Sequence, residues 1–243
     1  MDVKTAGRTV DLFEAFAKLR RPASLSELAA AIGMPLSSCS NLVRTIQARG
    51  YLYMLRDRGP FYPTARLLET AQTIAANDPI LLRVAEHLAA LSDACDETVV
   101  IGTIRGKDVV YIDVVESKQA IRYSARAGSM RPVHANSIGK AVLSRMDRET
   151  RADLLKKISY KKLTARTLLS AEDLEADIRN STRRGWFSNT KESVDDLGAV
   201  AVPVTINGGV FGISIAGPAN RMQAAIDDHV AALKRICAKI NDP

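Results

Sequence analysis

The sequence predicts a two-domain protein, in which an N-terminal winged helix-turn-helix precedes a larger α+β domain with a largely antiparallel sheet. Its 243 residues, 47% of them hydrophobic, suffice for two modest cores. The first 63 residues show helical spacing of apolar residues and then two short strand-like runs, whereas later residues mix strand-like runs, short turns and helical segments. We therefore expect domains at 1–63 and 79–243, joined by a linker helix at 64–78.

Charge is unevenly distributed along the chain. Residues 1–70 contain 10 Lys and Arg against 6 Asp and Glu, while the remaining 173 residues contain 24 against 21. The formal net charge of +7 favours an anionic partner. No apolar run is long enough to span a membrane and no secretion signal is evident, so we expect a cytoplasmic protein without a membrane partner. The three cysteines lack metal-site spacing and are expected to be reduced packing residues, with no metal and no cofactor.

The first 50 residues predict three helices. The first spans about 5–18, with Val10, Phe13, Phe16 and Ala17 forming its apolar stripe. The second begins at Ser24, whose pairing with a glutamate three residues later is the capping-box pattern, and ends at a glycine. A short turn and a third helix follow, which is the spacing of a helix-turn-helix that presents its second helix to a DNA major groove.

The outward face of the third helix is small, polar and free of carboxylates, which suits contact with phosphates and base edges. Strand-like runs at 51–55 and 61–63 flank a tight turn that carries two arginines, as in a basic wing. The alternative is that this unit is only a packing or dimerisation module. The predicted DNA-contacting residues are Ser24, Ser37, Ser38, Ser40, Asn41, Arg44, Arg56 and Arg58.

The rest of the chain predicts a sheet with helices packed against it. Helix-forming segments are expected at 64–76 and 79–91, with Leu82, Ala85, Leu88 and Leu91 buried in the latter. Short turns between strand-like runs favour antiparallel pairing. Strands are expected at 98–104, 109–115, 120–126, 186–191, 199–206 and 210–216, and further helices at 137–145, 148–157, 171–184 and 221–240.

A candidate anion site lies where the segment from His134 to Lys140 enters a helix. The backbone N–H groups of Ser137, Ile138 and Gly139 would be first-turn donors, which attract a carboxylate through hydrogen bonds and the helix dipole. The alternative is that residues 136 and 137 merely cap the helix while His134 makes a hydrogen bond in the core.

The stretches along the chain, taken in order, resemble the isocitrate-lyase-regulator (IclR) family of bacterial transcription factors. They are TVDLFEAFA, SLSELAAAIGMPLSSCSNLVRTIQARGYL, PTARLLETA, ETVVIGTIRGKDVVYIDVVES, RPVHANSIGKAVLS, LTARTL, RRGWFSNTKE, AVAVPV and FGISIAGP. The resemblance implies a winged helix that binds pseudo-palindromic operators as a homodimer or dimer of dimers. It also implies a GAF-like C-terminal domain that binds small organic acids or related metabolites.

Departures from the family pattern affect both domains. Ser40 and Asn41 stand where relatives often have a basic or imidazole-bearing pair, Asn189 replaces an acidic residue, and Ala199 occupies a frequent cysteine position. We therefore expect a ligand pocket less charged than in many relatives, and as effector a small monocarboxylate, with an aromatic acid as one candidate. The residues expected to bind it are Tyr123, Ser137, Ile138, Gly139, Asn189, Ala199, Phe211 and Ser214.

Two other classes of function are an enzyme and a ligand-sensing adaptor. An enzyme needs a nucleophile and a positioned base, but the three histidines lie in no nucleophile motif, and GTIRGK lacks the spacing of a phosphate-binding loop. The acidic residues around Cys95 fit a charged turn better than a metal site. A ligand-sensing adaptor that uses the winged helix for protein contact remains open, as does the choice between activation and repression.

Overall fold

The computed structural model describes residues 3–241, and the chain divides into two compact units between Asp78 and Pro79. The N-terminal unit contains four helices and one hairpin. Its elements are α1 (Lys4–Leu19), α2 (Leu25–Ala31), α3 (Leu36–Ala48), β1 (Leu52–Met54), β2 (Phe61–Pro63) and α4 (Arg66–Ala76). The strands pair antiparallel as a wing, so the predicted winged helix-turn-helix is confirmed.

The predicted capping box opens α2. The Ser24 hydroxyl accepts a hydrogen bond from the Glu27 backbone N–H, and the Glu27 carboxylate accepts one from the Ser24 N–H at 2.8 Å. This arrangement satisfies two backbone donors that a helix start otherwise leaves unpaired. The Ser24–Glu27 pair therefore fixes where the helix begins.

The apolar stripe of α1 differs from the prediction. Its buried residues are Leu12, Ala15 and Phe16, whereas Val10 is 58% exposed. Val10 precedes Leu12 by two residues and so lies about 200° around the helix from it. The face of α1 that packs into the core is formed by Leu12, Ala15 and Phe16. In α4 no residue is buried: Leu68, Ala71 and Ile74 are exposed and Leu67 is half-buried.

The C-terminal unit is built on one six-stranded antiparallel sheet in the order β5-β4-β3-β8-β7-β6. Its strands are β3 (Thr98–Arg105), β4 (Asp108–Val115), β5 (Met130–Pro132), β6 (Phe187–Thr190), β7 (Leu197–Ile206) and β8 (Gly209–Pro218). Its helices are α5 (Pro79–Cys95), α6 (Ser137–Leu143), α7 (Arg148–Lys157), α8 (Ala171–Arg184), α9 (Ala219–Ala224) and α10 (Ile226–Ile240). The predicted α+β fold with an antiparallel sheet is confirmed.

The two faces of the sheet carry separate cores, because successive residues of a strand point to opposite sides. On one face Val99, Ile101 and Ile213 pack with residues of α5 and α10. On the other, Val100 and Ala201 pack with residues of α6 and α8. Both faces are covered by helices, so most strand residues are buried.

Two predicted elements of this unit and the predicted buried face of a third are wrong. Residues 120–126 form no strand, because side chains hold this segment instead of a ladder: the Thr98 hydroxyl donates to the Tyr123 carbonyl at 2.6 Å. The helix predicted at 221–240 is two helices, broken at Ala225. In α5, Leu82 is 71% exposed and Ala85 is exposed too, because Val84, Leu88 and Leu91 form the buried face.

No helix within residues 3–241 is long and apolar enough to cross a membrane. The cysteines Cys39, Cys95 and Cys237 are free thiols. Burial raises the pKa of Cys95 to about 11 and that of Cys237 to about 12, which keeps both thiols protonated at neutral pH.

Candidate nucleic-acid interface and ligand cavity

The outward face of α3 is accessible along its length. Ser37, Ser38, Asn41 and Arg44 are exposed and Ser40 is half-buried, while Leu42, Val43 and Ile46 turn into the core. The face therefore offers hydroxyl, amide and guanidinium groups, all of which bind phosphates or base edges. It is the surface of the N-terminal unit best suited to enter a DNA groove.

A groove of about 500 Å³ runs between α3, the start of α2 and the wing. Ser40, Arg44 and Arg58 line it, and so does Ser24. The Ser24 hydroxyl accepts from the Glu27 N–H in the capping box and donates to the Glu27 carboxylate at 2.8 Å. Because these bonds occupy the hydroxyl, its main role is to cap α2. Arg56 and Arg58 are both exposed at the wing tip.

The wing tip depends on Gly59. Its N–H donates to the Arg56 carbonyl at 2.7 Å, and a Cβ at this position would lie 2.8 Å from that same oxygen. Arg58 has a φ of 56°, in the left-handed region. The turn is thus tight enough to hold both arginines at one end of the hairpin.

The C-terminal unit encloses a cavity of about 310 Å³ between the sheet and the start of α6. Small side chains on neighbouring strands leave this space: Ala199 on β7 pairs directly with Ala216 on β8, and Ser214 follows two residues away on the same face. The next residue on that face, Gly212, is covered by Ile138 of α6. The strand register therefore determines where the hollow lies.

Six of the eight predicted effector-binding residues line this cavity: Tyr123, Ser137, Ile138, Asn189, Ala199 and Ser214. Phe211 does not, because it lies three residues from Ser214 on β8 and points to the opposite face, into the core with α5 and α10. Gly139 does not line it either. A Cβ on Gly139 would lie 2.6 Å from the Val133 carbonyl oxygen, so this glycine serves close packing.

The prediction that Ile138 and Gly139 present free N–H donors is wrong. The Asn136 side-chain oxygen accepts from the Ile138 N–H at 2.9 Å and from the Gly139 N–H at 3.3 Å. Asn136 is thus the helix cap, as the alternative interpretation held. Two of the three predicted donors are therefore occupied by the helix's own cap.

Other polar groups of the cavity are also partly engaged. The Asn189 amide donates to the Ala135 carbonyl and to the Ser193 hydroxyl, both at 2.8 Å, and its oxygen accepts from the Glu192 N–H. The Ser137 and Ser214 hydroxyl oxygens lie 3.0 Å apart. Asn189 therefore shapes the loop beside the cavity more than it offers bonds to a ligand.

Sequence reasoning missed the one charged residue among the described residues that line the cavity, Arg131. It also missed Tyr111, Leu163 and Val194. Strand alternation pointed to Tyr111, which lies two residues from the buried Val109 on β4. The others come from segments that only the tertiary structure brings together. Arg131 gives the cavity one charged side chain.

His134 is a core residue outside the cavity. It is fully buried, its Nε2 lies 3.1 Å from the Lys161 carbonyl oxygen, and its ring meets Tyr160 edge-on. Within residues 3–241, neither its Nδ1 nor that of the buried His229 has a hydrogen-bond partner. Burial lowers the pKa of both imidazoles.

His134→Gln is expected to flatten the pH dependence of stability. A histidine with a lowered folded pKa resists protonation in the folded state, so stability falls as pH drops below the unfolded value of about 6.5, by at most about 1.4 kcal/mol per pH unit for each such group. Denaturant unfolding between pH 7.5 and 5.5 should show a shallower decline in this variant. The same change at the half-buried His87 is the control; equal slopes in wild type and His134→Gln would contradict the prediction.

A winged helix-turn-helix and an antiparallel α+β domain, in that order, define a class of two-domain DNA-binding transcriptional regulators. The IclR helix-turn-helix domain matches residues 5–55, and the C-terminal domain of the bacterial transcriptional regulator IclR matches residues 72–242. The chain belongs to the IclR family of bacterial transcriptional regulators. Because the matched relatives are regulators, the prediction that the chain is not an enzyme is confirmed.

Individual relatives agree with this assignment. The acetate operon repressor of Salmonella typhimurium is 28% identical over 98% of this chain and 87% of its own length, and the regulator KdgR of Escherichia coli is 26% identical over 91% and 85%. The crystal structure of Thermotoga maritima IclR has a TM-score of 0.81 at 23% identity, covering 98% of each chain. An IclR homologue from Microbacterium hydrocarbonoxydans, complexed with 4-hydroxybenzoate, has a TM-score of 0.80 at 22% identity over 98% of this chain and 97% of its own.

Proposed function

We propose that this regulator changes its affinity for an operator when a small organic acid binds in the cavity of the C-terminal unit. The observation that carries the proposal is the cavity itself, whose volume of about 310 Å³ lies at the lower end of the range for small-molecule sites. Apolar side chains with a few polar groups line it, as in other ligand sites. Six residues that the sequence singled out meet there.

The DNA side of the proposal rests on α3 and the wing. Ser37, Ser38, Ser40, Asn41 and Arg44 face the major groove, and Asn41 pairs with an adenine edge. Arg56 and Arg58 contact phosphates beside it. The regulator acts as a homodimer or dimer of dimers on a pseudo-palindromic site, with half-sites about one helical turn apart.

Similarity to a protein complexed with 4-hydroxybenzoate supports an acid of that size as effector. Coupling between two sites of about 1–3 kcal/mol changes affinity about 5- to 150-fold, so a single well-placed ligand suffices. The ligand must bind the DNA-competent and incompetent states with different affinity, since equal binding shifts nothing.

The test is fluorescence anisotropy of the full chain on DNA from the intergenic region beside its own gene, with excess competitor DNA and at two salt concentrations. We expect salt-sensitive binding with a dissociation constant of about 10⁻⁸ M or tighter, and a shift of at least about fivefold with one acid among benzoate, 4-hydroxybenzoate and pyruvate. Arg44→Ala should weaken operator binding by about 1–3 kcal/mol.

The matched control is Arg148→Ala, an exposed arginine of the C-terminal unit, which should bind the operator as wild type does. Operator affinity that none of the acids changes would overturn the proposed regulation. Binding that competitor DNA abolishes would instead favour the adaptor function.

A further inference from the structure

Resting on the proposed function, the geometry points to one end of the cavity as a carboxylate-binding subsite formed by the Arg131 guanidinium and the Tyr123 hydroxyl, which Asn136 and Tyr111 orient through a directed chain of hydrogen bonds. The acid is bound with its carboxylate at this end and its apolar body against Ile138, Ala199 and Ala216. The start of α6 does not bind the carboxylate.

Asn136 sets the direction of this series of hydrogen bonds. Its Oδ1 accepts from two backbone N–H groups at the start of α6, and a backbone N–H can only donate. The amide therefore cannot be flipped, and its Nδ2 points to the Tyr111 hydroxyl oxygen at 3.1 Å. Asn136 is only 7% exposed, so water does not compete freely for these bonds.

A second hydrogen bond joins the hydroxyl groups of Tyr111 and Tyr123. The Tyr111 oxygen accepts from Asn136 and lies 3.2 Å from the Tyr123 oxygen. Either hydroxyl can donate within this pair, and in the proposed arrangement Tyr111 donates to Tyr123. The Tyr123 oxygen becomes an acceptor in turn. In that arrangement the Tyr123 proton is free to point into the cavity, which both tyrosines line.

Arg131 adds a positive charge at the same end. Its guanidinium carbon lies 5.6 Å from the centroid of the Tyr111 ring, and its Nη1 donates to the Met130 carbonyl at 2.9 Å. These contacts hold the group in place while leaving most of its five donors for other partners. Burial lowers the pKa of Arg131, but the hydrogen bond to Tyr123 and the electrostatic interactions with Tyr123 and Tyr111 together outweigh it and leave the pKa raised.

The charge of Arg131 is not neutralised by the protein. Among residues 3–241 its electrostatic partners are the two tyrosines, with no carboxylate. By contrast, Lys140, the largest fully buried side chain, is paired with Glu192 and Asp177. A half-buried guanidinium beside a hydroxyl donor binds a carboxylate by donating charge-assisted hydrogen bonds to its oxygens. The NH₂ group of a neutral amide ligand in that position would meet only other donors.

The rest of the cavity lining differs in polarity. The Ser137 and Ser214 hydroxyl oxygens lie 3.0 Å apart, and apolar side chains such as Val100, Ile138 and Ala199 form much of the remaining wall. A ligand with one anionic end and a flat apolar body matches this distribution. The subsite therefore selects monocarboxylates over neutral analogues.

Calorimetric titration of the full chain with benzoate and with benzamide, its neutral isostere, tests the proposal. Wild type should bind benzoate at least about tenfold more tightly than benzamide, and Arg131→Gln should weaken benzoate binding about 10- to 100-fold while leaving benzamide binding nearly unchanged. Tyr123→Phe should weaken benzoate binding about fivefold or more. Arg131→Lys should recover part of the loss.

Matched controls are Arg148→Gln on the surface and Tyr160→Phe, a tyrosine of the same unit that donates to the Leu155 carbonyl and does not line the cavity. Melting curves identify any variant that fails to fold. If folded Arg131→Gln and Tyr123→Phe both bind benzoate within twofold of wild type, the subsite is wrong although the proposed function stands. If wild type binds none of benzoate, 4-hydroxybenzoate and pyruvate, the carboxylate class fails together with the subsite.

Discussion

Lys140→Met is expected to lower the free energy of unfolding of the C-terminal unit by about 3–5 kcal/mol. The Lys140 side chain is fully buried, and its Nζ donates to Glu192 Oε1 at 2.7 Å and to the Ser188 carbonyl at 3.0 Å. Asp177 Oδ2 lies 3.1 Å away but receives no well-directed hydrogen bond, so its contribution is mainly Coulombic. Removing the cation leaves the carboxylate of Glu192 without compensation in a nonpolar environment.

The loss should depend on pH in a defined direction. Burial raises the pKa of Glu192, and Lys140 acts against that rise. A raised carboxyl pKa favours the folded state at low pH, and this contribution is lost as pH rises through the folded pKa. Without Lys140 that pKa rises further, so the difference from wild type should shrink between pH 8 and pH 5 in urea-unfolding measurements.

The double variant Lys140→Met, Glu192→Gln is the control. It removes the unpaired charge and should recover at least half of the lost stability, because a neutral buried group costs less than an ion. An urea midpoint for Lys140→Met equal to that of wild type would show that the ion cluster contributes nothing. The cluster also borders the cavity, since the Glu192 N–H bonds to Asn189.

Gly139→Ala should lower the stability of the C-terminal unit by about 3 kcal/mol, at the upper end of the cost of overpacking. Two effects compete. Alanine favours a helix over glycine by about 1 kcal/mol, but its Cβ would lie 2.6 Å from the Val133 carbonyl oxygen and 3.1 Å from Val109 Cγ2. The first of these neighbours is backbone and cannot move away cheaply, so the clash is expected to dominate.

Gly7→Ala in α1 is the matched control, because no neighbouring atom of the described residues lies within 4 Å of a Cβ built there. Helix propensity then acts alone, and this variant should gain about 0.5–1 kcal/mol in the N-terminal unit. Opposite signs for one substitution in two helices would show that close packing, and not helix propensity, explains Gly139. A Gly139→Ala variant as stable as wild type would mean that the α6 contact relaxes at no cost.

Local sequence patterns were sufficient for several elements. The Ser24–Glu27 capping box fixed the start of α2, and Ser170 capped α8 as its hydrogen bond to the Asp173 N–H shows. The hairpin between β7 and β8 turns at Asn207-Gly208-Gly209, between the strands predicted at 199–206 and 210–216, and the first two of these residues have positive φ. The sequence predicts these features because the atoms that stabilise them belong to residues only a few positions apart.

Strand alternation could have corrected one site residue. Phe211 and Ser214 differ by an odd number of positions on β8, so a regular strand cannot place both in one cavity. The same rule favours Ala216 with Ser214, and both line the cavity. In α5, by contrast, the choice between Leu82 and Val84 as core residues required the sheet that covers the helix.

By itself the sequence determined the two-domain order, the winged helix and the antiparallel sheet, because periodicity, caps and turns are local. It also singled out three of the strand residues that line the cavity, Asn189, Ala199 and Ser214. Only the tertiary structure decided that Asn136 occupies the helix-start donors and that Arg131 meets Tyr123. Residues 111, 123, 131 and 136 are brought together by β4, β5 and the irregular segment at 116–129. Their partnership depends on how the chain returns to the sheet, since hydrogen bonds act over about 3 Å and no residue spacing encodes that distance.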